Sequence, residues 1–350
     1  MSAEQVLILG GTKFIGPHLV RALREAGYEP TVFHRGTTPW PWDDAPPALL
    51  GDREQAADLR AAARAADWEA VCDLTAFKPT DSALAAEAFQ DRCGIFLHVS
   101  TGSVYQVIEA YHNPYSENDA QLFASALPLV RETEPDHPAV QYGLNKRACE
   151  ETLLRAFEER GFPVTIIRPP IVSGPLDYTL RDYSHLLRLR DGGPLIVPVN
   201  AGAFQHVAVQ DLADLMVKML ELWDMSIGEA FNAGGASLFS LSEYYSTFAR
   251  LLGLPEPVIH AVPFDTIERE IGEGSQPFGY PRNAVPDIAK ARWLLDWEPR
   301  RAECYLPEIA AYFEGEYRGP EPESYTKYRA AELRLAGALA PRDQPAVAAA

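Results

Sequence analysis

The sequence predicts an α/β fold: a doubly wound parallel sheet with a smaller C-terminal portion. Three observations carry this expectation. The first half alternates short β-branched or apolar runs with longer helical stretches. A glycine-rich turn follows the first apolar run, and beyond Arg168 proline and glycine break the alternation.

Strands are expected at 5–9, 30–34, 48–51, 70–74, 95–99 and 163–167. After the first of these, Ile15, Leu19 and Leu23 place one apolar stripe on a helix that stops near Gly27. Residues 57–66, rich in alanine and arginine, form a second helix. Proline and glycine punctuate 169–204 and 254–286, which read as a smaller cap. Between them, 209–223 carries Leu212, Met216 and Leu220 at helical spacing and returns to the first domain. The expected division is 1–168 joined by 205–235, a cap of 169–204 and 236–318, and an extension over 319–350. Residues 336–350, alanine- and proline-rich, read as ending in a disordered tail.

At roughly 150 residues per domain, 350 residues suit about two domains and a sizeable core. The 31 Lys+Arg against 49 Asp+Glu leave a net charge of −18. That balance disfavours a broad basic surface for nucleic acid or anionic membrane, while allowing a local basic pocket. No apolar run approaches the roughly 20 residues of a spanning helix, and the Val6-Leu7-Ile8-Leu9 run is too short for a signal segment. A cytoplasmic protein with a small-molecule substrate is expected, with a homodimer left open. Cys72, Cys93, Cys149 and Cys304 lie far apart without CxxC spacing, so they read as buried thiols rather than a disulfide framework, and no metal site is expected.

The turn Gly10-Gly11-Thr12-Lys13-Phe14-Ile15-Gly16 stands between the first strand and the first helix. There a dinucleotide pyrophosphate meets a helix N-terminus, whose free N–H groups and dipole favour anions. Gly10 and Gly11 allow the tight turn and Gly16 the close packing of helix on strand, while Lys13 stands where a glycine is usual. This is the Rossmann-like arrangement. An NAD site ends the second strand with an acid for the ribose 2′-hydroxyl, but here that strand ends His34-Arg35-Gly36. Arg35 therefore favours NADP over NAD, unless it is a solvated loop charge. Asp52 in Gly51-Asp52-Arg53 offers a carboxylate to an adenine amino group or simply closes a turn. The indoles of Trp40 and Trp42 either stack on adenine or pack locally.

Tyr142-Gly143-Leu144-Asn145-Lys146 is the most informative pentapeptide. Spacing of four places the Tyr142 phenol and the Lys146 ammonium on one helix face. A phenol with pKa near 10 is a poor base, and a neighbouring cation favours its phenolate. Tyr142 is thus suited to shuttle a proton at a substrate oxygen, and Lys146 to hydrogen-bond the nicotinamide ribose. Thr101 follows the fifth strand, where open α/β sheets bind ligands, and its hydroxyl suits the reacting carbonyl or alcohol.

These motifs, with Ser100-Thr101-Gly102-Ser103-Val104-Tyr105 and Arg168-Pro169-Pro170-Ile171-Val172-Ser173-Gly174-Pro175, resemble the NAD(P)-dependent epimerase/dehydratase family of extended short-chain dehydrogenases/reductases. The stretches Gln205 to Ala213, Gly228 to Gly235 and Asp287 to Ala291 agree, so the resemblance spans about residues 5–315. It implies catalytic roles for Thr101, Tyr142 and Lys146, an adenine contact for Asp52, and a pyrophosphate or ribose contact for Lys78. It also implies that Pro169 and Pro170 pass the nicotinamide.

Departures narrow the reaction. Dehydratases of this family carry an Asp-Glu pair after the catalytic Thr, where this chain has Gly102 and Ser103. Nucleotide-sugar members usually have an Asn at Ile171 and an Arg shortly before His206-Val207, where this chain reads Ala201-Gly202-Ala203-Phe204-Gln205. Without those charge-assisted contacts, an unlinked polyol, sugar-like metabolite or other carbonyl compound gains ground, unless Arg181, Arg188, Arg190 or Arg282 substitutes. The long stretch 109–140, with Tyr111, Tyr115 and Phe123, either walls the substrate pocket or is an exposed loop. The expected activity is hydride transfer at a secondary alcohol or ketone, as epimerase or reductase. A non-catalytic, RNA-associated relative or a dinucleotide-sensing regulator is the alternative, and the Thr101, Tyr142 and Lys146 set argues against both.

Overall fold

A computed structural model of the chain describes residues 4–107, 113–122, 138–199, 201–275 and 284–339. It divides into two units. The first comprises Met1–Tyr178, Gln205–Leu238 and Ala284–Tyr305, and the second Thr179–Phe204, Phe239–Asn283 and Leu306–Ala350.

The first unit opens with β1 (Gln5–Leu9), α1 (Ile15–Glu25), β2 (Glu29–His34) and β3 (Ala48–Leu50). Next come α2 (Ala56–Ala63), β4 (Trp68–Asp73), α3 (Pro79–Phe89), β5 (Cys93–Val99) and α4 (Ser103–Gln106). After α5 (Glu117–Leu122) follow α6 (Pro138–Arg160), β6 (Val164–Arg168) and β7 (Ile171–Ser173). The chain crosses the second unit through α7 (Arg181–Arg190) and β8 (Leu195–Pro198), then returns with β9 (Phe204–Ala208), α8 (Val209–Glu221), α9 (Trp223–Ser226) and β10 (Ala230–Asn232).

Seven strands form one parallel sheet in the order β10-β6-β5-β4-β1-β2-β3. The chain runs outward from β1 through β2 to β3, then restarts on the other side of β1 with β4. That reversal places a crevice at the carboxyl ends of β1 and β4, where open α/β sheets bind ligands. Both faces of β1 are buried. Val6 and Ile8 pack with Leu19 and Leu23 of α1 and with Leu212 and Met216 of α8. Leu7 and Leu9 meet Phe89 of α3 and Leu153 of α6 on the other face. Each such side chain stabilises the fold by about 1.5–3 kcal/mol, which is why β1 reads as a continuous apolar run rather than an alternating one. Helix α1 stops at Gly27, whose φ of 90° suits glycine, with Tyr28 N–H bonded to the Leu23 carbonyl at 2.9 Å.

Several boundaries move. β4 starts at Trp68, ahead of the expected 70, because the buried Trp68 indole donates to the Ala62 carbonyl at 2.9 Å and holds the chain in line. α2 ends at Ala63 because Arg64 and Ala65 N–H groups turn back to Ala61 and Ala62. Helix 209–223 is two pieces, broken at Leu222. Residues 284–305, expected in the cap, belong to the first unit. There the Trp297 indole donates to the Asp211 carbonyl at 3.1 Å and the Arg300 guanidinium meets Asp211 at 2.6 Å.

In the second unit β8 pairs in parallel with the strand Ile259–Val262. Its interior is partly polar: Arg188, buried in α7, binds Glu332 and Ser184, and Tyr244 donates to Asp182 at 2.7 Å. The expected extension holds the helices Glu323–Thr326 and Arg329–Leu339, with Arg329 paired to Asp191. The end of the expected tail, 340–350, lies outside the described residues. Cys72 and Cys149 are buried free thiols as expected, Cys93 is half-buried, and Cys304 is exposed, contrary to its reading as buried.

Candidate active site

β1 delivers the chain to Gly10 and Gly11 at φ values of 86° and 84°, a left-handed region that favours glycine. A Cβ on Gly10 would run into the Thr75 side chain, and one on Gly16 into the Gly11 backbone. No side chain caps α1, so its first-turn N–H groups keep the geometry that suits a phosphate. This tight turn, which has no room for a Cβ at Gly10 or Gly16, fits a dinucleotide pyrophosphate at the α1 N-terminus. Thr12 and Ile15 are half-buried and Phe14 is buried. Exposed Lys13 lies 5.8 Å from the Tyr178 ring centroid, and Phe14 meets the same ring edge-on.

Around the crevice, Arg35 is exposed beyond β2, and among the described residues no carboxylate pairs with it. The Asp52 carboxylate accepts the Glu54 N–H at 3.0 Å, closing a turn beyond β3. Lys78 is exposed at the N-terminus of α3, its N–H held by Asp81 at 3.0 Å. The two indoles pack locally: Arg21 of α1 lies 3.3 Å from the Trp42 ring centroid, His18 meets Trp42 edge-on, and Trp40 donates to Asp44.

The sequence reading passed over a buried pair at the end of β4. Arg53 meets Asp73 at 2.5 Å and also donates to the Asp81 carbonyl at 2.9 Å. An acid ending a central parallel strand, with an arginine after the strand that precedes it in the chain, was the available signal. Burial alone would lower the Arg53 pKa, but Asp73 holds it above its ordinary value.

At the carboxyl end of β5 the Thr101 hydroxyl accepts the Ser103 N–H at 3.2 Å, and the Gly102 N–H donates to the Pro169 carbonyl at 2.7 Å. The Thr101 turn is thereby tied to the chain leaving β6 at Pro169 and Pro170. α6 closes on it through Gly143, where a Cβ would stand 2.8 Å from the Ser103 carbonyl. Tyr142, beside that contact, is 38% exposed, which leaves its ring open to a small molecule. One turn further, Lys146 is 2% exposed, and its ammonium donates to the carbonyls of Ala76 at 2.9 Å and Val99 at 2.5 Å. Burial lowers the Lys146 pKa, against the opposing charge of Asp73.

Behind this face, buried Arg168 makes a two-pronged pair with Glu150 at 2.9 and 2.7 Å and donates to the Tyr105 hydroxyl at 2.9 Å. Burial would lower its pKa, yet Glu150 and Tyr105 hold it above the ordinary value. Tyr105 in turn donates to Asn232 at 2.8 Å. Of the arginines left open as substitute phosphate holders, Arg188 is taken by Glu332 and Arg190 by Glu314, Arg181 is half-buried, and Arg282 lies outside the described residues. Tyr111 and Phe123 also lie outside them, whereas Tyr115 is buried. Among the described residues there is no group of His, Cys, Asp and Glu placed to hold a metal, and no helix long and apolar enough to cross a membrane.

The chain is 26% identical over 313 residues to the chloroplast stem-loop binding protein of 41 kDa b of Arabidopsis thaliana, covering 85% of this chain and 76% of that one. It is 26% identical over 286 residues to ketoreductase azaE of Aspergillus niger, covering 67% and 78%. UDP-glucose 4-epimerase of Thermotoga maritima, solved with UDP-glucose, superposes with a TM-score of 0.68 at 21% identity, over 89% of this chain and 98% of that one. dTDP-glucose 4,6-dehydratase of Bacillus anthracis, solved with NAD, gives 0.70 at 19% identity over 90% and 97%. At such identities the structural likeness is one of fold. The family model that matches, over residues 6–234, covers the glycine turn, the Thr101 turn and the Tyr142 and Lys146 helix, and its cofactor is a nicotinamide dinucleotide. The chain belongs to the NAD dependent epimerase/dehydratase family.

Proposed function

We infer that this protein transfers a hydride between NADP(H) and a secondary carbinol carbon, or its ketone, in a sugar-like or other small carbonyl metabolite, as an epimerase or reductase. The carrying observation is the state of Lys146. An ammonium has three donors, and two are spent on the Ala76 and Val99 carbonyls. The group is thus fixed, with one donor left for the Tyr142 phenol or a ribose hydroxyl.

The glycine cradle from Gly10 to Gly16 and the α1 N-terminus hold the pyrophosphate, with Lys78 as a further cation. Asp52 faces the adenine, Arg35 the 2′-phosphate, and Pro169 and Pro170 border the nicotinamide. When bound, the dinucleotide supplies or takes the hydride. Thr101 holds the reacting oxygen by a hydrogen bond, and Tyr142 gives or takes its proton while Lys146 stabilises the phenolate. Gly102 and Ser103 lack the carboxyl groups that loss of water would need, which favours plain hydride transfer.

The name of the Arabidopsis relative speaks of stem-loop binding. A net charge of −18 and the placement of Tyr142 and Lys146 favour catalysis on a small molecule over that role here. Fluorescence titration tests the cofactor assignment. Wild type binds NADPH more tightly than NADH, and Arg35→Asp weakens NADPH by about 1.5–3 kcal/mol, the worth of one charge-assisted contact, with little change for NADH. Equal losses for both remove Arg35 from the 2′-phosphate site. A cofactor retained through purification indicates epimerisation, and exchangeable NADPH indicates reduction.

A further inference from the structure

We propose that Lys13 and Tyr178 form a clasp over the pyrophosphate of the dinucleotide, the Lys13 ammonium and the Tyr178 hydroxyl each donating a hydrogen bond to its oxygens. The proposal rests on the cofactor reading above and adds to that site Tyr178, which lies past the end of the Arg168 to Pro175 stretch. Lys13 stands where a glycine is usual, yet the positive φ values of this turn fall on Gly10, Gly11 and Phe14 rather than on it. Its carbonyl accepts the Gly16 N–H at 3.2 Å, which fixes the backbone and sends the side chain out of the turn. That side chain is exposed, and among the described residues no carboxylate pairs with its ammonium.

Tyr178 comes from the strap that follows β7, and that strap is fastened to the glycine turn's own helix. A Cβ on Gly174 would run into the Val209 side chain of α8. The Pro175 carbonyl accepts from the His18 ring of α1 at 3.1 Å. Leu176 packs on the core that holds Leu19 and Leu212, at a φ of 67° that a leucine keeps only where its surroundings impose it. The next turn brings the Tyr178 ring edge-on to Phe14, with centroids 6.4 Å apart, and to 5.8 Å from the Lys13 ammonium. The ring is nevertheless 66% exposed, and among the described residues its hydroxyl has no hydrogen-bond partner. A free cation and a free phenol donor thus face solvent together beside the uncapped α1 N-terminus.

The chemistry of the pair matches the charge of the group. A helix N-terminus supplies roughly half an elementary positive charge, which leaves most of the pyrophosphate charge unmatched. The Lys13 ammonium adds a full charge with three donors, and the phenol adds one donor on a ring that the strap has already placed. Both act on the phosphates that join the two nucleosides, so they strengthen NADPH and NADH alike. Arg35, assigned to the 2′-phosphate, strengthens NADPH alone. A nucleotide without the pyrophosphate gains nothing from the clasp.

The full-length protein is titrated with NADPH and NADH by fluorescence, and with 2′-AMP by displacement of bound NADPH. Lys13→Met keeps the aliphatic stem and weakens both dinucleotides by about tenfold or more, while 2′-AMP stays within about twofold of wild type. Tyr178→Phe keeps the ring on Phe14 and weakens both by about three- to tenfold, again sparing 2′-AMP. Lys13→Met also flattens the salt dependence of dinucleotide binding, because one screened charge pair is gone. Thermal unfolding verifies that both variants fold. Variants that bind both dinucleotides as wild type does make the pair a local surface contact and overturn the proposal alone. A loss confined to NADPH moves the pair to the 2′-phosphate, and an equal loss for 2′-AMP shows a merely structural role; either overturns the proposal. A wild type that binds neither dinucleotide overturns the cofactor reading and the clasp with it.

Discussion

Tyr142→Phe lowers turnover of an accepted carbonyl substrate by about 10²–10⁴, the usual worth of a positioned acid or base, and leaves NADPH affinity within a few-fold. The substitution removes one oxygen from a side chain that is 38% exposed and leaves in place the Gly143 contact that seats α6 on Ser103. Packing and the glycine cradle are untouched. Lys146→Met has a different signature. It removes an ammonium bonded to the Ala76 and Val99 carbonyls, so both turnover and cofactor affinity fall. Steady-state rates paired with fluorescence titration separate the two variants. Normal turnover by Tyr142→Phe removes the acid–base assignment and returns the protein to the class of dinucleotide-binding proteins without this chemistry.

The sheet was legible because both faces of its central strands are apolar. Val6 to Leu9 and the run into Val99 read as strands without any tertiary information, and two glycines at positive φ mark the turn between strand and helix. Tyr142 and Lys146 were legible because helical spacing alone puts them on one face. The second unit was opaque for a physical reason: α7 buries Asp182, Ser184, His185 and Arg188, so its inward face is polar and carries a weak apolar period. Asp182, His185 and Arg188 are bonded to Tyr244, Tyr245 and Glu332, and Ser184 to Ser324, residues 60 or more positions away. Tyr115 was visible only as an aromatic in a long loop. Its place is set by hydrogen bonds to Val285 and Asp287, which no local pattern announces. The Arg53 and Asp73 pair was missed similarly, since it links a turn after β3 to the end of β4 through side chains alone.

Glu150→Ala destabilises the first unit by about 3–5 kcal/mol, the cost of leaving a buried guanidinium without its partner. Arg168 is 1% exposed, and Glu150 supplies two of its four hydrogen bonds, the others going to the Tyr105 hydroxyl and the Glu117 carbonyl. Water cannot replace the lost carboxylate at such burial without opening the packing between α6 and β6. Thermal unfolding followed by circular dichroism shows the loss as a fall in Tm on the order of 10 °C. Glu150→Gln, which keeps an acceptor for one prong, loses less. Replacing both partners by apolar residues does not restore wild-type stability, because the Glu117 carbonyl and the Tyr105 hydroxyl each lose the donor that Arg168 supplies. Arg168 immediately precedes Pro169, whose carbonyl holds the Gly102 N–H, and it fixes the ring on which Tyr115 stacks. The same ion pair therefore supports the Thr101 turn. A Tm lowered by less than about 2 °C in Glu150→Ala would mean that the guanidinium finds another partner and that the turn is held by its backbone bonds alone.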